Sequence, residues 1–445
     1  MEKIYDLVIV GAGISGTALL YAASNFTNIK KILLLEKYTA IAELNSNART
    51  NAQTLHQGDI ETNYTYEKAK SVKESSALIL NYANHFMEPK EREKAIRRCQ
   101  KMVLAVGSHE VDSIEKRFSE KMKRLYPKLR IIKKAEIANI EPNVAYGRDK
   151  REEISALYSP EGYMVDFGML AKSFAKNAIR LRKIDKPEIK MGTPLIGAAR
   201  GNEYYTIKTK GTSINARFIA FDAGTYSLYF AKMFGYDKNL SILSIGGGYY
   251  YSKRFLNGKV YRVQKGGIPF AAIHADPDIR NSSVTRYGPT VTITAELEKG
   301  HPETIPDYIK TLDKDVETAK IMRRILENRD IKRIVGRNMA YSLPIIGKER
   351  FVDEEARKII PRLKYSDLWV DKYSGGIRPQ IIDEKKGKLV VGEAKLQREG
   401  LIFNITPSPG ASSCLFSAFT DIKYITRYLN ATFNYEKFEK EISYV

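Results

Sequence analysis

The sequence predicts an α/β fold joined to an α+β one: a parallel βαβ unit of the dinucleotide-binding kind, and a second domain built on an antiparallel sheet. Three observations carry this. Residues 4–10 (IYDLVIV) and 31–36 (KILLLE) are short apolar runs of the type buried in a parallel sheet, and residues 14–25 between them are helix formers. Gly11, Gly13 and Gly16 form G-x-G-x-x-G at the turn from that strand into that helix. Far downstream, residues 242–300 alternate short apolar runs with turn residues, as an antiparallel sheet does.

The glycine turn makes a Rossmann-type site. The first glycine permits the tight turn, the second lets a pyrophosphate approach the backbone, and the third lets helix and strand pack closely. Backbone N–H groups and the helix N-terminus then meet the phosphates, with Ser15 inside the turn. Glu36, 20 residues after Gly16, ends the second strand, where its carboxylate can accept from ribose hydroxyls; Lys37 follows it. An acid there disfavours a 2′-phosphate and leaves FAD or NAD.

The remaining elements follow in order. Residues 66–84 form a helix, with Ala69, Val72, Ala77 and Leu80 near helical spacing. Between 88 and 134 the chain turns basic, and residues 116–134 hold nine basic residues against one acid, the pattern of a solvated helix face. Residues 162–182 read as a turn and a helix, 204–227 as a hairpin followed by a strand that ends at Gly224, 310–335 as an amphipathic helical segment of mixed charge, and 411–429 as a closing helix.

Composition narrows the function classes. No apolar stretch approaches the length needed to span a bilayer, and the first strand begins too early to leave room for a signal peptide, so a cytoplasmic location is expected. Two cysteines, Cys99 and Cys414, and five scattered histidines support no metal site. No G-x-S-x-G nucleophile motif occurs. The net charge of +21 favours anionic partners: a small acidic substrate, an anionic membrane or nucleic acid. Without an aromatic-basic RNA-binding signature, no nucleic-acid partner is expected.

Three further stretches resemble the D-amino-acid oxidase-like FAD flavoproteins: residues 45–64 (NSNARTNAQTLHQGDIETNY), 216–227 (ARFIAFDAGTYS) and 404–422 (NITPSPGASSCLFSAFTDI). Within that superfamily "AQTLHQGDIETNYTYEKA", "PFAAIHADPD", "RYGPT", "LPIIGK", "IRPQ" and "TPSPGASSC" resemble the malate:quinone oxidoreductase family over the whole chain, especially its shorter epsilonproteobacterial type. The L-2-hydroxyglutarate oxidase family shares weaker versions of these pieces. The resemblance implies a glutathione reductase-like fold of the D-amino-acid oxidase type. Its FAD-binding domain would come from residues 1–85, 161–235 and 373–445, and its antiparallel-sheet substrate or cap domain from 86–160 and 236–372.

It also implies non-covalent FAD, held by the glycine turn with Glu36 and Lys37, by Ser46, Asn51, Gln53 and Thr54 of the first loop, and by Ala223 and Gly224. Ser408, Pro409, Gly410, Ala411 and Ser412 would complete the site before a helix N-terminus, which stabilises negative charge on reduced flavin. The implied reaction is oxidation of (S)-malate to oxaloacetate by hydride transfer to flavin N5, with electrons passed to a membrane quinone. The alternative is an oxidase or dehydrogenase of L-2-hydroxyglutarate, or of a related 2-hydroxy or amino acid.

Such chemistry needs a base for the hydroxyl proton and a cation for the carboxylate. His274 is the expected base, since a neutral imidazole accepts a proton near pH 7. Arg378 is the expected carboxylate clamp. His56 is expected as a flavin-side or substrate-side contact and Tyr64 and Arg286 as substrate contacts, while His85, His109 and His301 lie in charged surroundings and are expected at the surface. The basic surface suits a peripheral position on the cytoplasmic face of the inner membrane, where a basic helix within 310–335 can lie in the interface.

Overall fold

The computed structural model describes all residues except 1–2, 265–272, 313–319, 322, 325–326, 328, 342, 344–345, 391–393, 406–409 and 444–445. Two large sheets and a two-stranded pair, Ile96–Arg98 with Tyr163–Val165, organise the described residues. The first has five parallel neighbours, Leu401–Ile405, Thr212–Phe221, Ile4–Val10, Ile32–Leu35 and Glu188–Lys190 in that spatial order. Ala394–Arg398 adds antiparallel at one end, and the Leu195–Arg200 and Tyr205–Thr209 strands fold onto Thr212–Phe221.

Both faces of this sheet are buried, which explains why its strands read as unbroken apolar runs. Leu7 and Ile9 point to a core built with the helices Ile14–Phe26, Phe167–Leu181 and Cys414–Leu429. Val8 and Val10 point the other way, toward Phe221, Phe230 and Phe403. The alternation follows from the strand's two-residue period.

The second sheet runs in the order Lys388–Val390, Ile377–Asp383, Leu240–Lys253, Val284–Ile293, His274–Pro277, Lys259–Arg262, Lys101–Val106, Ile154–Ser159 and Arg130–Lys133. It is antiparallel apart from the parallel pairing of Lys259–Arg262 with Lys101–Val106. The first sheet draws its strands from residues 4–35, 188–221 and 394–405, and the second from 101–159, 240–293 and 369–390. Residues 373–445 are expected as the C-terminal segment of the FAD-binding domain, and within them the strand Ile377–Asp383 lies along Leu240–Gly246 in the antiparallel sheet. Its isoleucines pack on both faces there, and an apolar strand of that kind carries no sign of which sheet it will join.

The basic run 116–134 spans the ends of the helices Ser108–Arg117 and Glu120–Leu125 and the strand Arg130–Lys133, with most of its lysines and arginines exposed. Only fragments of the 310–335 segment fall within the described residues, including the start of the helix Arg329–Tyr341.

Candidate active site

A cavity of about 460 Å³ lies where the C-terminal ends of the parallel strands face the antiparallel sheet. The glycine turn forms one wall. Gly11 has φ of +110°, and a Cβ there would meet the Asp222 carbonyl oxygen at 2.5 Å; a Cβ on Gly16 would meet the Gly11 carbonyl oxygen at 1.9 Å. Neither place has room for a side chain, so the backbone itself shapes the wall. Gly11, Gly13 and Ser15 line the cavity, while Gly16 lies beneath it at the helix–strand contact.

Glu36 lines the same wall, fixed by backbone amides: Ala12 N–H donates to its Oε2 at 2.7 Å and Tyr38 N–H to its Oε1 at 2.9 Å. Lys37 also lines the cavity, but its charge is taken by Glu298 at 2.7 Å, and its ammonium lies 4.5 Å from the Tyr226 ring centroid. Ser46 Oγ accepts from Ile14 N–H at 2.9 Å, at the first turn of the helix. Ala223 and Gly224 follow the end of the strand Thr212–Phe221, and Gly224 adopts φ of +57°.

Opposite lie the first loop and the C-terminal turn. Asn51, Thr54, His56, Gly410, Ala411 and Ser412 all face the cavity. Ser412 stitches the two segments together, accepting from His56 N–H at 2.9 Å and donating to the Thr54 carbonyl at 3.4 Å. The helix Cys414–Leu429 starts two residues later, so its N-terminal end adjoins the cavity as expected. Ser408 and Pro409 lie outside the described residues.

Four expected contacts stand elsewhere. Gln53 is fully buried and joins the loop to the antiparallel sheet, donating to Ala48 O and Asp278 Oδ1 at 2.8 and 2.9 Å and accepting from Ile279 N–H. Arg286 is fully buried behind the same loop. It pairs with Asp276 at 3.0 Å and donates to the carbonyls of Asn51 and Ala52, holding the wall instead of facing the cavity. Burial works against charge on Asp276, but Arg286 and Lys259 outweigh it and hold that carboxyl at about 2. Tyr64 is half-buried in the turn after Glu61, outside the lining residues. His274 is 2% exposed, stacked on Tyr261 at 4.7 Å with Tyr249 at 6.2 Å, and also outside the lining.

Arg378 does face the cavity, between Ile377 and Pro379, and its strand register sets it opposite Ile245. Its charge acts on Tyr249, whose buried hydroxyl has no hydrogen-bond partner among the described residues; burial pushes that phenol up against the opposing pull of Arg378 and Arg286. His56 is held by a carboxylate, its Nδ1 2.6 Å from Glu61 Oε1. Burial alone would push the Glu61 carboxyl up, but His56 and then Lys101 overcome it and the carboxyl sits below its ordinary value.

Sequence reasoning passed over Asp222, Glu61, Glu298 and Tyr249. Asp222 lines the cavity directly before Ala223, and burial followed by the nearby Asp421 pushes its carboxyl up to about 7. Its signal was an acid at the end of an apolar strand, and Glu61 stood five residues after a flagged histidine. Glu298 and Tyr249 carry no local signal, because their partners Lys37 and Arg378 lie far away in sequence.

The glycine wall, the acid on the second strand and the helix N-terminus across the cavity define an FAD-dependent oxidoreductase. The backbone fits the cofactor where it leaves no room for any Cβ. The solved L-alpha-glycerophosphate oxidase of Mycoplasma pneumoniae, described with FAD bound, shares this fold, with a TM-score of 0.63 at 16% identity over 96% of this chain and 95% of that one. Residues 3–445 match the family Malate:quinone oxidoreductase (Mqo), and the chain belongs to it. It is 38% identical to "Probable malate:quinone oxidoreductase" of Campylobacter jejuni over 99% of both chains. The human mitochondrial L-2-hydroxyglutarate dehydrogenase is a more distant relative, at 24% identity over 92% of this chain and 86% of that one.

Proposed function

We propose that the chain oxidises (S)-malate to oxaloacetate, with a quinone as final electron acceptor, on the side of the cavity formed by His56 and Arg378. The observation that carries this is one continuous cavity whose walls include both the glycine turn and these two side chains. FAD, when bound, supplies the two-electron acceptor for the C2 hydrogen. Arg378 holds a malate carboxylate through its guanidinium fork. His56 Nδ1 faces the carboxylate of Glu61, which leaves Nε2 to accept the hydroxyl proton and keeps the ring in one orientation. Asn51, Thr54 and the 410–412 turn hold the cofactor beside them.

The base role expected of His274 passes to His56 on grounds of access. His274 stands one layer back, where its ring supports Tyr261 and, through the Tyr261 hydroxyl at 2.8 Å, Thr54 of the cavity wall. No helix among the described residues is long and apolar enough to cross a membrane. The +21 charge supports a peripheral position on an anionic surface, on the cytoplasmic face of the inner membrane, where a lipid-soluble quinone is met.

Anaerobic L-malate is expected to bleach the flavin of the purified protein, and L-2-hydroxyglutarate to do so far more slowly. Absence of bleaching by malate refutes the reading. The variant His56→Ala is expected to slow flavin reduction by about 10²- to 10⁴-fold, the usual range for loss of a general base. A smaller loss there than in His274→Ala returns the base role to His274.

A further inference from the structure

One exposed face of the antiparallel-sheet side combines apolar side chains with an excess of cations. The helices Arg329–Tyr341 and Ile346–Phe351 form a hairpin, pulled tight where Gly347 N–H donates to the Leu343 carbonyl at 3.0 Å. Met339, Leu343 and Ile346 at its tip are all more than half exposed. Tyr250 of the central strand anchors this hairpin, donating to the Tyr341 carbonyl at 2.6 Å and stacking on Phe351 at 4.7 Å. The same Tyr250 pairs in register with Val370, and Lys348 donates to the Leu368 carbonyl at 3.3 Å. The hairpin and the Trp369–Val370 strand are therefore neighbours, and Trp369, Val370 and Tyr373 add 47, 62 and 60% exposed apolar surface.

A cationic groove runs beside the tip. Arg333, Arg337, Arg350 and Lys358 line it with Glu354. Among the described residues, Arg337 and Arg350 both pair with Glu354, and Glu355 lies against Arg337, Lys358 and Arg262, so the four cations of the groove share two carboxylates with a fifth cation. Lys332 and Arg333 are exposed on the adjoining turn of the helix.

The patch continues into the cavity wall. Asp371, one residue past Val370, pairs with Arg49 of the first loop at 2.6 Å, and Arg49 lies 4.7 Å from the Tyr373 ring centroid. Ser374 Oγ accepts from Tyr249 N–H, and Gly376, Ile377 and Arg378 then line the cavity itself. Seven residues of chain thus lead from Val370 at the surface to Gly376 and Ile377 at the site.

We infer that this face docks on an anionic lipid bilayer and brings the cavity wall at Gly376–Arg378 next to the lipid that carries the acceptor. Solvated apolar residues flanked by unbalanced cations are the two parts of an interfacial anchor. The inference rests on the proposed quinone reading and adds to it which surface meets the membrane.

The test uses the FAD-loaded enzyme and two variants, Leu343→Glu with Ile346→Glu, and Lys332→Gln with Arg333→Gln. Each is sedimented with vesicles of equal parts phosphatidylglycerol and phosphatidylcholine, and of phosphatidylcholine alone. Malate turnover with a water-soluble quinone analogue is followed in parallel. The apolar variant is expected to lose about tenfold or more in affinity for the anionic vesicles. The charge variant is expected to lose about fivefold per cation on anionic vesicles, and little on neutral ones. Both keep wild-type turnover with the soluble analogue.

Wild-type vesicle affinity in both variants overturns the inference, as does a change of oligomeric state with vesicle binding intact, which assigns the face to a second copy of the chain. A wild type that turns over malate but binds no vesicle overturns the docking face and the peripheral membrane position together. A wild type that binds vesicles while malate fails to reduce its flavin refutes only the proposed substrate.

Discussion

The two walls of the cavity are built by opposite means. The glycine wall is local: three glycines within six residues, one strand before them and one helix after, with Glu36 on the next strand. Its groups are backbone amides, so its shape follows from the absence of side chains. The opposite wall is assembled from afar. Arg378 reaches the cavity because Ile377–Asp383 pairs with Leu240–Gly246, and the 51–52 backbone is held by Arg286, some 230 residues away. A local wall fails by steric collision and a remote one by loss of charge partners, and this difference can be tested.

The largest effect is expected at Gly16→Ala. The added Cβ would sit 1.9 Å from the Gly11 carbonyl oxygen, a backbone atom that cannot step aside without opening the turn. The ratio of flavin to protein absorbance in the purified variant should fall by about tenfold or more; undiminished flavin would show that the turn tolerates a methyl group. Next comes Asp276→Asn, which strands Arg286 and Lys259 with their charges buried. Breaking a buried pair costs about 3–5 kcal/mol, to be read from urea unfolding, and FAD affinity should fall with it because the 51–52 backbone loses its anchor.

Arg378→Ala should act on substrate alone. We expect the KM for malate to rise and kcat to fall, with kcat/KM down about a hundredfold and bound FAD unchanged, consistent with loss of a charge-assisted clamp of roughly 3 kcal/mol. Flavin lost in proportion would make Arg378 part of the wall's structure.

The last effect, on the pH dependence of stability alone, concerns Asp222, whose carboxyl is raised from 3.8 to about 7 by burial first and by Asp421 second. Between those values the folded chain holds a proton that the unfolded chain has released, so stability falls as pH rises. Asp222→Asn removes that proton exchange. Its melting temperature should gain on wild type from about pH 4 to pH 7 and hold level above, a trend that thermal melts across pH 4–8 will show or exclude.

The unequal legibility of the two walls follows from the same contrast. Gly11, Gly13, Ser15, Glu36 and the Gly410–Ser412 turn were readable because their chemistry is written in adjacent residues. Arg286 was placed on the substrate side by resemblance alone, and its sequence neighbourhood does not record that Asp276, one strand away, neutralises it. His274 and Gln53 stand away from the cavity lining, which their sequence neighbourhoods do not reveal for the same reason: a polar residue in an apolar strand or a loop looks alike whether it faces a cavity or ties two segments together. Glu61 became meaningful only once its carboxylate was seen 2.6 Å from the His56 ring.

By itself, then, the sequence determined the dinucleotide turn, the two kinds of sheet, the basic character and the family, because these depend on residue type at short range. The tertiary structure alone decided which side chains face the cavity, which carboxylate holds His56 and which exposed face carries both apolar residues and unbalanced cations. The physical reason is strand register: it brings residues hundreds of positions apart within hydrogen-bonding distance, and successive residues of one strand point to opposite faces.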